Sequence, residues 1–130
     1  MRRTTILVVV MALLLSLTAG VALADFIEGN NKDNTLIGTA ERDIIEGRDG
    51  DDYINGRRGN DDLYGQRGDD EIEDFRGADN VWGGRGSDRI DVRDGVGNDW
   101  VSCGKGKDDL AIVDSDDDIK NRKACEHIRD

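Results

Sequence analysis

The chain has 130 residues, with 29 Asp and Glu against 18 Lys and Arg and a formal net charge of −11, and its length accommodates one small domain. The negative charge disfavours nucleic acid and anionic membranes as partners and favours cations. The single histidine, His127, excludes multi-histidine zinc sites and leaves a histidine-based catalytic triad unsupported, so no enzymatic activity is predicted.

Residues 1–24 predict a secretory signal peptide. Two arginines directly after Met1 precede an apolar run over residues 6–17, and an Ala-Leu-Ala cleavage site ends at Ala24, after which we expect cleavage. The alternative is an uncleaved anchor, because residues 6–24 are almost long enough to span a bilayer. Since the two arginines are the only charged residues removed, cleavage leaves 16 basic against 29 acidic residues, a net charge near −13. We therefore expect a secreted, extracellular protein.

A nine-residue repeat follows this segment. Six consecutive units occupy residues 38–91 without a gap: GTAERDIIE, GRDGDDYIN, GRRGNDDLY, GQRGDDEIE, DFRGADNVW and GGRGSDRID. A looser copy covers residues 29–37, and two further copies follow a two-residue insertion and end at Ala111. Such a period is typical of solenoid proteins.

Four positions of the unit keep one type of occupant. The first is glycine in most copies, and the eighth is aliphatic in every copy, at Leu36, Ile45, Ile54, Leu63, Ile72, Val81, Ile90, Val101 and Leu110. The sixth is Asn34 and then aspartate, at Asp43, Asp52, Asp61, Asp70, Asp79, Asp88, Asp99 and Asp108. The fourth is glycine, at Gly50, Gly59, Gly68, Gly77, Gly86, Gly97 and Gly106.

The period excludes an α-helix and favours short strands joined by turns. Nine residues at 100° each make two and a half turns, so successive aliphatic residues would lie on opposite faces of a helix. Glycine at the first and fourth positions suits tight turns, and the D-x-U-x that follows, with U aliphatic, is typical of a short strand with one inward residue. We expect an all-β fold in which two units make one coil and the coils stack into two facing parallel sheets.

The unit resembles the glycine-rich nonapeptide of the RTX (hemolysin-type) calcium-binding family, commonly written G-G-x-G-x-D-x-U-x, over about residues 29–111. The resemblance implies a parallel β-roll, a right-handed β-solenoid, with Ca²⁺ held between coils by sixth-position aspartates and turn carbonyls. It implies a metal-binding set of Asp43, Asp52, Asp61, Asp70, Asp79, Asp88, Asp99, Asp108, Gly50, Gly59, Gly68, Gly77 and Gly86.

This sequence departs from the family pattern at several places. The second glycine occurs only at Gly84 and Gly104, and the first two copies carry Lys32 and Glu41 where the fourth glycine belongs, which puts their metal sites in doubt. An N-terminal export signal also makes the chain more similar to small exported repeat proteins of bacteria than to large toxins.

The glycine pattern stops after Ala111. We predict three parts: the signal peptide at 1–24, the repeat β-roll at 25–111, and a C-terminal cap at 112–130 with a short helix between Asp116 and His127. A disulfide between Cys103 and Cys125 would hold the cap in an exported protein, the alternative being two free thiols.

Calcium is the predicted cofactor for a physical reason. Strands in a sheet lie about 4.8 Å apart, and carboxylates stacked about 5 Å apart repel by about 3 kcal/mol per pair at an effective dielectric constant of 20. Ca²⁺ prefers oxygen ligands, whereas Mg²⁺ demands a smaller octahedral site. We predict a chain that is largely unfolded in chelator and folds with Ca²⁺, with about six ions and a Kd of about 10⁻⁴–10⁻³ M.

Two functions remain open. The first is a calcium-binding structural or binding module outside the cell, and the second is a metal-independent solenoid that presents an adhesive or partner-binding surface. An ice-binding roll would need an outward row of Thr or Asn, but the ninth position reads Ile37, Glu46, Asn55, Tyr64, Glu73, Trp82, Asp91, Ser102 and Ala111. The pattern indicates no particular protein or glycan partner.

Overall fold

The computed structural model describes residues 24–96, 98–119 and 125–129, which form strands and turns and contain no helix. The strands are β1 (Phe26–Glu28), β2 (Thr35–Ile37), β3 (Ile44–Asp49), β4 (Tyr53–Asn55), β5 (Asp62–Arg67), β6 (Glu71–Glu73), β7 (Asn80–Arg85), β8 (Arg89–Asp91), β9 (Trp100–Gly104), β10 (Leu110–Ile112), β11 (Asp118–Ile119) and β12 (His127–Arg129). The predicted signal peptide lies outside the described residues except for Ala24. Within the described part, no helix is long and apolar enough to cross a membrane.

Successive strands alternate between two parallel sheets. The odd-numbered strands form one sheet in the order β1-β3-β5-β7-β9-β11, and the even-numbered strands form the other in the order β12-β10-β8-β6-β4-β2. Ile45 pairs with Leu63 and Leu63 with Val81, so one coil contains two nine-residue units. The predicted all-β solenoid, a parallel β-roll, is confirmed.

Three alternating positions of each unit point inward: the sixth, the eighth and the first of the next unit. The eighth-position residues form the apolar centre, and Ile45, Ile54, Leu63, Ile72 and Val81 are each 0% exposed. Each contributes about 2 kcal/mol by burial. Because a strand places alternate residues on one face, the sixth-position aspartates and the first-position glycines share the interior with these aliphatic side chains.

The turn before β10 shifts the predicted register by one residue. Ala111, and not Leu110, pairs with Ile90 and is fully buried. The aspartate position is correspondingly taken by Asp109, which is 0% exposed, while Asp108 is exposed with a φ of 63°. The turn before β10 contains one residue more than the nine-residue count predicts. The left-handed conformation of Asp108 accommodates this extra residue.

The strand pattern extends beyond the nine-residue copies at both ends, and at the C-terminal end it also extends beyond the predicted β-roll at 25–111. Asp25-Phe26-Ile27 precedes it and belongs to β1, whose Ile27 pairs with Ile45. At the other end Asp118–Ile119 form β11, so the predicted helix is wrong there, while residues 120–124 lie outside the described residues. The predicted disulfide is present, with an S–S distance of 2.00 Å between Cys103 and Cys125.

Candidate metal centre

The sixth-position aspartates form two columns inside the roll, one at each long edge. We call them the first column (Asp43, Asp61, Asp79, Asp99 and Asp117) and the second column (Asp52, Asp70, Asp88 and Asp109). All except Asp117 are between 0% and 2% exposed. Buried carboxylates without a compensating charge are costly, so their partners decide what the columns do.

One oxygen of each carboxylate joins neighbouring coils. In the first column the Asp43 amide donates to Asp61 Oδ1 at 2.7 Å, and the Asp61 amide donates to Asp79 Oδ1 at 2.8 Å. In the second column the Asp52 amide donates to Asp70 Oδ1 at 2.9 Å. The Asp88 amide likewise donates to Asp109 Oδ1 at 2.9 Å. Each step from one coil to the next therefore contains a hydrogen bond of this kind.

The second oxygen is unpartnered at Asp61 in the first column and in every member of the second column. Buried Oδ2 atoms without a hydrogen-bond donor belong to Asp52, Asp61, Asp70, Asp88 and Asp109. These are anionic oxygens removed from water, and each lacks a positive or donating partner among the described residues. Such atoms fit ligands of a bound cation.

At both ends of the first column, and at Asn34 in the coil before the second column, the protein itself supplies donors to the equivalent oxygens. Asp43 Oδ2 accepts the Thr39 amide at 2.6 Å, and Asn34 Oδ1 accepts the Asn30 amide at 2.7 Å. Asp117 Oδ2 likewise accepts the Asp114 amide at 2.6 Å. Within the two columns, the unpartnered Oδ2 atoms are therefore confined to Asp61 and the second column.

First-position glycines leave room where carboxylate and carbonyl oxygens converge. A Cβ on Gly47 would lie 2.4 Å from Asp52 Oδ2 and 2.7 Å from the carbonyl oxygen of Gly65. A Cβ on Gly65 would lie 2.4 Å from Asp70 Oδ2 and 2.6 Å from the carbonyl oxygen of Gly83. Carboxylate and carbonyl oxygens are the ligand types that Ca²⁺ prefers, so these residues fit a calcium site chemically.

The fourth-position glycines allow the turns to stack. A Cβ on Gly68 would lie 1.9 Å from the carbonyl oxygen of Gly50, and one on Gly86 would lie 1.8 Å from that of Gly68. Lys32 and Glu41 are the first fourth-position residues on their two edges of the roll, so within the described residues no preceding turn packs against them. Their departure from glycine therefore has a packing explanation.

Burial raises the pKa values of the column carboxyls. It is the largest cause of a pKa of about 7 for Asp61, Asp88 and Asp99 and of about 6 for Asp70. Neighbouring carboxylates raise these pKa values further, while the amide donor from the adjacent coil lowers them. The interior thus disfavours uncompensated negative charge, as desolvation and like-charge repulsion require.

The arginines neutralise acids on the outside instead. Arg42 lies 2.7 Å from Asp62, and Arg89 lies 3.3 Å from Glu71, with all of these side chains partly or largely exposed apart from Asp62. Within the described part of the chain, no arginine or lysine forms an ion pair with a column aspartate. The described arginines and lysines thus leave the column carboxylates uncompensated.

A further buried acid lies outside the predicted metal-binding set. Asp74 takes the first position of its unit, where most copies have glycine, and is 2% exposed. Candidate ligand oxygens of Asp61, Asp74 and Asp79 all lie within 4.8 Å of one another. The missing glycine at this position is the sequence signal that marks the site.

Comparison with known families agrees with this arrangement. The model of the RTX calcium-binding nonapeptide repeat (4 copies) matches residues 28–63 and, overlapping them, residues 56–90. The matched segment extends from the end of β1 into β8 and contains the middle of both columns. No curated protein and no solved structure matches the chain.

Proposed function

Because residues 28–90 of this chain are RTX calcium-binding nonapeptide repeats, we propose that the protein binds Ca²⁺ between successive coils and folds into the β-roll as it does so. The observation that carries the proposal is the set of buried, unpartnered Oδ2 atoms at Asp61 in the first column and along the second column. In this proposal Ca²⁺ supplies the positive charge that the interior lacks.

The proposed ligands come from the middle coils. In the second column they are the carboxylates of Asp52, Asp70, Asp88 and Asp109, the last of which takes the place predicted for Asp108. The first column contributes through Asp61, Asp79 and Asp99. Asp43 is the weakest member because its Oδ2 already accepts the amide of Thr39. First-position carbonyl oxygens complete these sites by their convergence with Oδ2.

Coupling between folding and binding follows from charge. Each column stacks carboxylates in adjacent coils, and like charges about 5 Å apart repel by about 3 kcal/mol per pair at an effective dielectric constant of 20. A narrow apolar centre, one aliphatic residue per strand, has to offset this repulsion and the entropy of ordering the chain. Binding to the folded state alone adds stability that increases with the Ca²⁺ concentration.

The proposed location is outside the cell. The charged start, apolar run and Ala-Leu-Ala site of residues 1–24 are typical of an export signal. A disulfide between Cys103 and Cys125 suits an oxidising compartment. Mass spectrometry of the protein recovered from the medium of an exporting host tests this, with a chain that begins at Asp25 expected and an intact, cell-associated N-terminus contradicting it.

The proposed role is binding and not catalysis. Acidic pairs such as Asp51-Asp52, Asp61-Asp62 and Asp69-Asp70 recur in register, so each is part of the repeated turn and not a unique reactive pair. The protein is a structural or binding module of the cell envelope or medium whose shape depends on calcium.

A calcium titration of the mature chain tests the proposal. Far-UV circular dichroism should change from a largely unordered spectrum in chelator to a β-rich one with Ca²⁺, and Mg²⁺ at the same concentration should not produce the change. Fluorescence gives a second readout, because the rings of Tyr64 and Trp82 stack across adjacent coils with centroids 4.4 Å apart and Trp82 and Trp100 lie 4.9 Å apart. A spectrum already β-rich in chelator and unchanged by Ca²⁺ would contradict the proposal and favour the metal-independent solenoid.

A further inference from the structure

Asp74 is a buried carboxylate that does not belong to either aspartate column. It follows β6 at the first position of its unit, where the two preceding coils on the same edge have Gly38 and Gly56 and the next has Val92. Because the first position points inward, a side chain there enters the space between coils, and in Asp74 that side chain is an acid.

The carboxylate of Asp74 has one satisfied and one unsatisfied oxygen. Oδ1 accepts the amide of Phe75 at 2.7 Å, which fixes the orientation of the group. Oδ2 has no hydrogen-bond donor, and water does not reach it because Asp74 is only 2% exposed. An anionic oxygen that is held in place and withdrawn from water requires a positively charged or donating partner.

The unsatisfied oxygen of Asp74 points to the same space as that of Asp61. A Cβ on Gly56 would lie 2.3 Å from Asp74 Oδ2 and 2.6 Å from Asp61 Oδ2, so both oxygens border the room that this glycine leaves. Asp79, the next member of the first column, brings a third oxygen, and all three lie within 4.8 Å of one another. No described lysine or arginine forms an ion pair with any of the three.

We infer that Asp61, Asp74 and Asp79 form a three-carboxylate centre that binds Ca²⁺ more tightly than the other inter-coil sites of this chain. The inference rests on the proposed function and assigns to Asp74 the role of an additional side-chain ligand. Three carboxylates place more negative charge around one ion than the two-aspartate steps elsewhere, and ligand charge is a main determinant of calcium affinity. This site is then the first to fill as calcium rises and fixes the middle of the roll.

Equilibrium dialysis of the mature chain against radioactive Ca²⁺ tests the inference. The wild type should retain one ion per chain at a free concentration at least about tenfold below that at which the remaining ions bind. Asp74→Gly restores the residue that neighbouring coils carry, and Asp74→Asn keeps the side-chain volume without the charge. Both should lose the tight ion while the weaker ions and the β-rich spectrum in millimolar calcium remain.

Glu71→Gln is the matched control, since it removes an exposed carboxylate from the preceding strand and should leave the tight ion in place. A wild type whose ions all bind at one concentration, with Asp74→Gly unchanged, would overturn the inference and leave the proposed function standing. Tighter binding by Asp74→Gly would overturn it too, because Asp74 would then obstruct the site. Retention of no calcium by any variant, in a chain folded without it, would instead refute the proposed function.

Discussion

At the scale of single residues, the second position of the unit shows how the roll tolerates departures from glycine. Arg48, Arg57 and Gln66 have φ angles of 83°, 78° and 79° there, in the left-handed region that L-residues disfavour. Gly84 occupies the same place in the next coil with a φ of 124°. The left-handed conformation thus recurs in successive coils along the edge that carries Arg48, Gln66 and Gly84, whereas on the other edge Arg57 adopts it and Phe75 does not.

Gln66→Gly should stabilise the calcium-bound protein by about 0.5–1 kcal/mol, because relief of the left-handed conformation exceeds the added entropy of the unfolded chain. Gly84→Ala should destabilise it by about 2 kcal/mol or more, since its Cβ would lie 2.3 Å from the carbonyl oxygen of Gln66. Urea denaturation in saturating calcium measures both changes. A loss of stability in Gln66→Gly, or no loss of stability in Gly84→Ala, would contradict these expectations.

A column aspartate and its neighbour form a second pair of tests. Asp70→Asn keeps an oxygen that can accept the Asp52 amide but removes the charge, so we expect one bound ion fewer and a calcium midpoint raised about tenfold. Asp69→Asn makes the same charge change at an exposed turn residue and should leave both quantities unchanged. Calorimetric titration gives the stoichiometry and affinity, and equal losses in the two variants would refute a role specific to the column.

At the scale of elements, the roll consists of short strands that form a stack, and a disulfide attaches its C-terminal strand to the rest of the roll. β12 pairs with β10, and the Val113 amide donates to the carbonyl of Arg129 at 2.9 Å. Cys103 lies in β9 and Cys125 precedes β12, so the disulfide holds this last strand against the coil before it.

Replacing both cysteines by serine should lower the free energy of unfolding by about 3 kcal/mol, as expected for a closed loop of 22 residues. The amides that β12 protects, Val113 among them, should exchange with solvent faster than those of β5 and β7. Hydrogen exchange monitored by mass spectrometry resolves the two regions. Equal acceleration in β5 and in β12 would show that the disulfide does not act on the C-terminal end in particular.

Much of this element structure could be predicted from the period. The nine-residue spacing predicted the short strands and their parallel pairing, but it predicted only one inward residue per strand, the aliphatic one. The structure also buries the sixth-position aspartates, because alternate residues of a strand share one face. The spacing did not reveal the extra residue at Asp108 or the strands β11 and β12, whose acid-x-aliphatic pattern lacks glycine. Asp74 was not predicted because the repeat assigns glycine to the first position, and a single copy with an acid there does not change that pattern.

At the scale of the whole molecule, the charge of the interior makes stability depend on pH in opposite senses with and without calcium. Burial raises the pKa of Asp61 to about 7, of Asp70 to about 6 and of Asp74 to about 8. Unfolded carboxyl groups titrate near 4. Between these values the folded chain holds more protons than the unfolded chain, so acidification favours folding.

In chelator, the folded fraction should therefore increase as the pH falls from about 8 to about 5 and gain little below about 4, where the unfolded carboxyls are also protonated. With calcium present, the same acidification should weaken binding, because protons compete with the ion for the carboxylates. Circular dichroism across this pH range, with and without calcium, measures both. A metal-free chain that became less folded between pH 8 and pH 5 would contradict the assignment of buried, uncompensated acids.

The central claim is that cations bind between coils at the aspartate columns, and a crystal structure grown in calcium with anomalous scattering data tests it most directly. We predict anomalous peaks inside the roll beside the Oδ2 atoms of Asp52, Asp61, Asp70 and Asp88, with the strongest occupancy between Asp61, Asp74 and Asp79. Peaks confined to exposed acids on the outer faces, with the interior Oδ2 atoms bonded to water alone, would contradict it.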